Sequence, residues 1–438
     1  MTARRREKSA ADPLAARRLA VGALTRVLKE GVHHEAAFAA LADRAVTLDP
    51  ADRAFARLLL TVTLRRLGQI DAVLAQALCA PEKPLDDRLR ALLRVGAAQL
   101  LYLGTPAHAA VATMVELSAR DRLPQVRAAK GLVNAVLRRL ARDGVALLDA
   151  IDAERTAVPA WLWNGWAQRF GEATTRRIIA AGFVEPMLDL SVKPGVAVSG
   201  LDAISSPTGG LRLTAHGRIE QLSGFAEGSW WVQDAAAALP AMLLQVQPGE
   251  RVLDLCAAPG GKTLQLAAAG VQVTAVDQST TRLERLRDNL ARTKLPATVI
   301  AVDGRAFAAE EPFDAVLLDA PCTATGTIRR HPEIAWLRKP DDVAALAVLQ
   351  AELLDAAARL IRPGGRLIYA VCSLQAEEGP AQIAAFLARH RTFTRDPLAR
   401  DELMGLSDAL LPAGDVQTLP FMAGGVDGFY IARLRRTS

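Results

Sequence analysis

The sequence predicts a multidomain chain built from an all-α bundle, a small α+β connector and a doubly wound α/β sheet. Three observations predict this. Residues 11–145 carry apolar side chains at helical spacing with no strand-like alternation. Residues 146–235 mix short β-like runs with Gly, Ser and Pro. From 236 to 438, strand-length apolar runs alternate with helical segments, the mark of a parallel sheet. A basic tail, residues 1–10, stands before the bundle, and 438 residues suffice for two or three domains.

The bundle opens at Asp12-Pro13, an N-cap followed by proline in the first turn, after which Ala20, Leu24, Val27 and Leu28 recur on one face. Asp49-Pro50 repeats the signal, with Phe55, Leu58, Leu59 and Val62 expected to share a face. Further helices are expected over 69–79, 87–103, 107–120 and 126–142. In the connector, Trp161, Trp163 and Trp166 fall in a helix and are read as core rather than as a base-stacking platform. Leu188–Val192 and Gly210–Thr214 are its β-like pieces. The last region predicts strands at Val252–Leu255, Val273–Val276, Thr298–Val302, Ala315–Leu318 and Leu367–Val371. Helices are expected over 341–361 and 376–390, and a final run, Gly428–Leu434, is expected to close an edge of the sheet.

Composition excludes several classes. Apolar residues make up 51% and charged residues 23%, so the chain can bury substantial cores. Mean hydropathy is +0.15, yet no apolar run is long enough to span a bilayer. Arg4, Arg5, Arg6 and Lys8 precede no apolar stretch, so no secretory signal is expected and the chain is read as cytoplasmic. Four cysteines (Cys79, Cys256, Cys322 and Cys372) are too few for a disulfide framework, and without C-x-x-C spacing or grouped histidines beyond His33-His34 no metal is expected. The net charge of +6 is compatible with a nucleic-acid partner. Arg122, Arg127, Lys130, Arg138, Arg139 and Arg142 crowd one stretch, readable as a solvated helix face or as a phosphate-contacting surface.

Chemistry concentrates at the ends of the predicted strands, where α/β sheets bind ligands. After Val252–Leu255 comes Cys256-Ala257-Ala258-Pro259-Gly260-Gly261-Lys262, a tight loop leading into a helix whose free N–H groups and positive dipole end suit a nucleotide-type cofactor. Asp277 ends the second strand, placed to accept ribose hydroxyl hydrogens, and Asp303 follows the third, placed for an adenine amino group. Gly261-Lys262-Thr263 also resembles the end of a phosphate-binding NTPase loop. However, that loop's first glycine would fall at Cys256, and Pro259 interrupts the cradle.

Asp319-Ala-Pro-Cys322 and Ala370-Val-Cys-Ser373 place two thiols at two further strand ends. Two thiols beside a cofactor suit methylation of a pyrimidine. Addition of a thiolate to carbon 6 makes carbon 5 nucleophilic; after methyl transfer a base removes the carbon-5 proton and the thiol is expelled. An acid such as Asp319 can support nitrogen 3 as charge builds there. The base must be unstacked, so the substrate is single-stranded or flipped out.

Asp319–Glu333 (DAPCTATGTIRRHPE) and Tyr369–Leu374 (YAVCSL) closely resemble the Nop2/Sun (NSUN, or RsmB/NOP) family of RNA 5-methylcytosine methyltransferases. Cys256–Lys262, Gln233-Asp234 and Asp427-Gly-Phe-Tyr430 fit the same family. The resemblance implies a Rossmann-like class I methyltransferase core and S-adenosylmethionine as cofactor. It also implies Cys372 as nucleophile, Cys322 as the thiol assisting product release, Lys262 as a pocket lysine, and Asp277, Asp303 and Asp319 lining the cofactor and base pocket. The residues themselves leave the order of the two thiols open: Pro321-Cys322 is like the Pro-Cys nucleophile of DNA cytosine methyltransferases. Departures from the family pattern are Val371 where threonine is common, Gly379 where asparagine is common, and Lys193 where asparagine is frequent.

Pro106–Val111, Val115–Leu117 and Gly131–Arg139 resemble the NusB-like RNA-binding domain that precedes this core in the family's bacterial small-subunit ribosomal RNA enzymes. The resemblance implies RNA as partner, with 16S rRNA favoured over tRNA or another RNA, and gives the basic stretch 122–142 a role in phosphate contact. His108 is read as packed or capping rather than catalytic. Protein partners, the nucleotide modified and the oligomeric state are not legible in the chain.

Overall fold

A computed structural model describes residues 12–43, 48–78, 83–215 and 217–437. The basic tail and Cys79 lie outside them. The chain forms two compact units: Met1–Asn164 with His331–Leu337, and Gly165–Arg330 with Arg338–Ser438. The sequence reading divides the chain at 145 and 235 instead.

The first unit is helical: α1 Ala15–Glu30, α2 His34–Ala42, α3 Pro50–Arg65, α4 Leu67–Ala77, α5 Asp87–Leu101, α6 Ala107–Ala119, α7 Pro124–Ala128, α8 Lys130–Asp149 and α9 Ala153–Thr156. Its core gathers Leu24, Val27, Leu59, Leu60, Leu92, Val95 and Leu137. The starts are set by side chains. Asp49 accepts the Asp52 N–H at 2.8 Å ahead of Pro50, and Asp86 accepts those of Arg88 and Leu89. Asp12 instead accepts the Leu14 N–H, one turn ahead of α1. The buried face of α3 is Ala56, Leu59, Leu60, Thr63 and Leu64; Leu58 is exposed, and Phe55 and Val62 are half-buried. The expected face of α3 is thus rotated by one residue, because Leu58 and Leu60 compete for the core in an unbroken Leu58-Leu59-Leu60 run. Gly96 lets α5 and α8 approach, since a Cβ there would stand 2.8 Å from the Leu137 methyls.

His331–Leu337 is held in this unit by a buried carboxylate. Glu333 accepts from the His34 backbone N–H at 3.3 Å, and its oxygens lie 2.9 Å from His34 Nδ1 and 3.2 Å from His33 Nδ1. It stands at the start of α2, where the helix dipole favours an anion.

The second unit begins within α10 (Ala160–Phe170) and continues through α11 (Glu172–Ala181). A four-stranded antiparallel sheet follows: β1 Leu188–Val192, β2 Ala203–Ser205, β3 Leu211–Leu213 and β4 Trp230–Val232, in the order β2-β3-β1-β4. β2 and β4 have three residues each, too short to show alternation in the sequence. β1 and β3 pair Asp189 with Arg212, and the two buried side chains meet at 2.6 and 2.8 Å. Arg212 also donates to the carbonyls of Ala423 and Gly425, and Asp189 accepts the Ala235 N–H, so one buried pair fastens this sheet to the chain at residues 423–425 and 235.

The larger sheet contains β5 Arg251–Leu255, β6 Gln272–Asp277, β7 Thr298–Ala301, β8 Phe313–Asp319, β9 Ile361–Val371, β10 Phe393–Arg395, β11 Val416–Gln417 and β12 Tyr430–Arg436. The order is β10-β12-β9-β8-β5-β6-β7, with β11 pairing β12. β5 to β9 are parallel; β10, β11 and β12 run antiparallel to their neighbours. The expectation that Gly428–Leu434 closes the edge is corrected: β10 pairs with the free side of β12 and takes the edge. The helices are α12 Ala235–Leu243, α13 Gly261–Ala268, α14 Thr280–Thr293, α15 Ile334–Leu337 (in the first unit), α16 Pro340–Leu360 and α17 Pro380–Arg389. Alternate strand residues enter different cores. Val252, Leu317, Ile368 and Ile431 face one side, while Leu253, Leu318, Tyr369 and Tyr430 face the other. The chain leaves β5 for β6 on one side and returns to β8 on the other, so the end of β5 is a topological switch point. No helix among the described residues is long and apolar enough to cross a membrane.

Candidate active site

The loop after β5 is shaped for close approach. Cys256 has φ 66° and Gly260 φ 107°, and a Cβ at Gly260 would lie 2.2 Å from Leu286 Cδ1, so only glycine fits. Asp277 Oδ2 accepts the Ala258 N–H at 3.1 Å and Oδ1 the Ser279 N–H at 2.9 Å. The Asp277 carboxylate therefore braces the loop it was expected to serve only across a ligand. Cys256, Asp277, Asp303, Gly304, Pro321 and Leu353 line one cleft. Asp303, at its rim, is held by Arg305, which keeps its carboxyl below the ordinary value. The free N–H groups at the start of α13, the glycine cradle and the two strand-end carboxylates fit a nucleoside cofactor. The Cys256 thiol is pushed up by burial and by Asp277, Asp319 and Asp254, so it packs rather than reacts.

Lys262 points from the first turn of α13 to Asp319 at the end of β8, with Nζ 2.7 Å from Oδ2. Its ammonium also lies over the Phe429 ring, 5.3 Å from the centroid. Burial works against the charged Lys262, but Asp319 outweighs it and raises the pKa above the ordinary value.

Cys322 Sγ and Cys372 Sγ are 3.4 Å apart. They follow β8 and β9, parallel neighbours in which Asp319 pairs with Ala370, so both thiols emerge at the same sheet end. Cys322 is buried and Cys372 half-buried. The Cys322 thiol is pushed well up by its bond to Cys372, then by burial and by the charges of Cys372 and Glu378. It is the thiol that keeps its proton. Lys262 and Arg330 both interact electrostatically with Cys372.

Motifs far apart in the chain meet beside the thiols. Arg329 Nε is 3.0 Å from Asp427 Oδ1 and its Nη2 pairs with Asp234; Arg330 also pairs with Asp427, whose N–H donates to Asp234 at 2.9 Å. Gly326 donates to the Cys372 carbonyl at 3.0 Å and accepts from Gly428 at 2.8 Å. A Cβ at Gly326 would sit 1.9 Å from the Gly428 oxygen. Asp234, Arg329-Arg330 and Asp427-Gly428 are thus parts of one wall, with Phe429 next to them beneath Lys262. Sequence reasoning gave no role to Arg330, Phe429 or Glu378.

Other candidate residues lie elsewhere. Arg122, Arg127, Lys130, Arg138 and Arg142 are exposed around α7 and α8, while half-buried Arg139 donates to the Ala77 carbonyl. His108 is exposed near the start of α6 and caps nothing, which corrects its reading as packed or capping; Pro106 rather than a side chain starts that helix. Trp163 and Trp166 are buried and Trp161 is half-buried, as a core role requires. Among the described residues, one group has metal-ligand types within reach of one another: His34, His331 and Glu333. The Glu333 carboxylate there already takes the bonds of the α2 start.

Residues 241–435 match the model of the 16S rRNA methyltransferase RsmB/F family, and residues 14–142 match the NusB family. The ribosomal RNA small subunit methyltransferase B of Pseudomonas putida (strain KT2440) is 41% identical over 408 residues, covering 88% of this chain and 91% of that protein. The chain belongs to the RsmB/F methyltransferase family. The protein of the same name from Vibrio cholerae is 40% identical, covering 88% of this chain and 90% of the other. The crystal structure of PH0851 covers 98% of this chain and 100% of its own, with a TM-score of 0.77 and 25% identity. NSun6 from Pyrococcus horikoshii with SFG shares the fold, with a TM-score of 0.56 at 19% identity, covering 64% of this chain and 98% of its own. Membership sets aside the NTPase reading of the glycine loop.

Proposed function

We propose that the protein transfers a methyl group from S-adenosylmethionine to carbon 5 of a cytosine in RNA, with 16S rRNA as the substrate that the curated relatives' names support. The observation that carries this reading is the 3.4 Å thiol pair at the strand ends beside the cofactor cleft. Cys256–Lys262 would hold the cofactor with Asp277 toward the ribose, Asp303 toward the adenine and Asp319 at the reacting end. When bound, the cofactor supplies an electrophilic methyl group.

The half-buried Cys372 is assigned as nucleophile because it is the more open thiol and lies within electrostatic reach of Lys262 and Arg330. Its sulfur bonds to carbon 6, and the Lys262 ammonium, held in place by the Asp319 carboxylate, supports nitrogen 3 as negative charge arrives. Once carbon 5 is methylated its proton leaves to a base, the sulfur–carbon bond breaks and the ring is restored. Cys322, protonated and adjacent, stabilises the departing Cys372 thiolate. Cys372→Ala is expected to abolish methylation. Cys322→Ala is expected to form the adduct and release it slowly, giving a slow-migrating protein–RNA band on a denaturing gel. A trapped band from Cys372→Ala instead reverses the two roles, and full activity in both variants sinks the covalent route.

A further inference from the structure

Behind the two thiols lies a buried carboxylate, Glu378, with no exposed surface. Each of its oxygens takes two donors. Oε1 accepts the Thr323 N–H at 2.8 Å and the Gln350 amide at 3.1 Å; Oε2 accepts the hydroxyls of Thr323, at 2.5 Å, and of Ser373. Thr323 follows Cys322 and Ser373 follows Cys372, so one side chain ties together the residues next to both reactive sulfurs. The rest of the shell is closed. Gln350 also donates to the Pro321 carbonyl at 2.8 Å, and the Tyr369 hydroxyl donates to the Glu378 carbonyl at 2.6 Å. The Ser373 hydroxyl lies 3.2 Å from both Thr323 Oγ1 and Thr325 Oγ1, and Thr325 Oγ1 accepts the Leu374 N–H at 3.0 Å. Thr323, Gln350, Tyr369 and Ser373 are themselves wholly buried.

No cation pairs with Glu378 among the described residues; hydrogen-bond donors alone hold it. Such a carboxylate adds little net stability over an apolar filling, yet its four directed bonds specify one geometry. The strand spacing of about 4.8 Å does not by itself fix where the two sulfurs stand, because both thiols sit on irregular loops beyond the last paired residues, Asp319 and Ala370. A separate closure has to set the spacing.

We propose that Glu378 is the positioning residue that fixes the separation and orientation of Cys322 and Cys372. The inference rests on the covalent reading above and deepens it. Glu378 touches neither substrate nor cofactor; it acts through Thr323 and Ser373. Its negative charge also helps keep the proton on Cys322, the thiol needed at the release step.

The test is Glu378→Gln in the full chain, which keeps the shape but replaces one acceptor oxygen with a donor. The variant is expected to fold and to keep KM for RNA within about threefold, because Glu378 is fully buried and offers RNA no surface. Its kcat is expected to fall at least about tenfold, and the covalent protein–RNA adduct should accumulate as it does in Cys322→Ala. A second readout is independent of methyl transfer. Diamide, a two-electron thiol oxidant, removes one hydrogen from each thiol to give the Cys322–Cys372 disulfide and its hydrazine. The rate of that coupling, followed by peptide mass, should fall severalfold in the variant. If Glu378→Gln does not fold, Ser373→Ala removes one donor from the same carboxylate and should show both changes at smaller size. Unchanged kcat together with an unchanged coupling rate overturns the inference. A slowed coupling rate with full activity upholds the positioning role while sinking the catalytic reading of the thiols.

Discussion

At the residue scale the site is governed by how burial and neighbours distribute protons. Asp254, on β5 beneath the cofactor loop, is fully buried, and its Oδ2 accepts the Thr263 hydroxyl at 2.6 Å. Burial pushes its carboxyl up to about 7, against the opposing effect of that hydrogen bond. The folded-state value is raised above the ordinary 3.8, so the neutral acid is the form the native state favours. Its contribution to stability is therefore fully present below that ordinary value and is lost as pH rises through about 7. Asp254→Asn, which cannot ionise, is expected to gain on the wild type by a few kcal/mol, order of magnitude, between about pH 4 and about pH 8. Denaturant unfolding across that range measures the gap, and a gap that does not widen with pH rejects the assignment. Burial and neighbours likewise raise the Cys322 thiol, while Cys372 is the more open of the two. The sequence supplied both cysteines but not their order, because that order depends on exposure and on Lys262, Arg330 and Glu378, which come from other elements.

At the scale of elements, the sequence was most legible where one period runs uninterrupted. β5 to β8 and the helices α5, α6, α13 and α16 lie within a few residues of their expected places, because a buried strand and an amphipathic helix each announce themselves locally, while β9 starts at Ile361 rather than Leu367. Short strands did not. β2, β4 and β10 have three residues each, and what makes them strands is a partner already in place. The small sheet depends on such a partnership at Asp189 and Arg212. Removing one member leaves the other charge buried and unpaired, so Arg212→Ala is expected to cost about 3–5 kcal/mol. Chemical denaturation should show it as a lower midpoint at unchanged slope. The double replacement Asp189→Leu with Arg212→Met should recover much of the loss, and a single variant that costs under about 1 kcal/mol refutes the clasp.

At the scale of the whole molecule, a helical unit with an exposed basic stretch accompanies a methyltransferase core. Charge on Arg122, Arg138 and Arg142 is available to solvent at α7 and α8. If these arginines meet RNA phosphates, replacing all three with alanine should weaken RNA binding without altering the cofactor cleft. The slope of log affinity against log salt should flatten by about 0.7 for each single-strand phosphate that is no longer neutralised. An unaltered slope places the RNA elsewhere. The glycine loop, the strand-end carboxylates and the alternation of strand and helix were determined by the sequence alone, since each is a contiguous run whose chemistry and conformation share the same few residues. The 3.4 Å thiol pair, the Glu378 clasp and the wall of Asp234, Arg329 and Asp427 were decided only by the tertiary structure. Their members lie up to 193 residues apart. No local period encodes such a distance; it is set by parallel strand register and by buried hydrogen bonds that exist only once the sheet has closed.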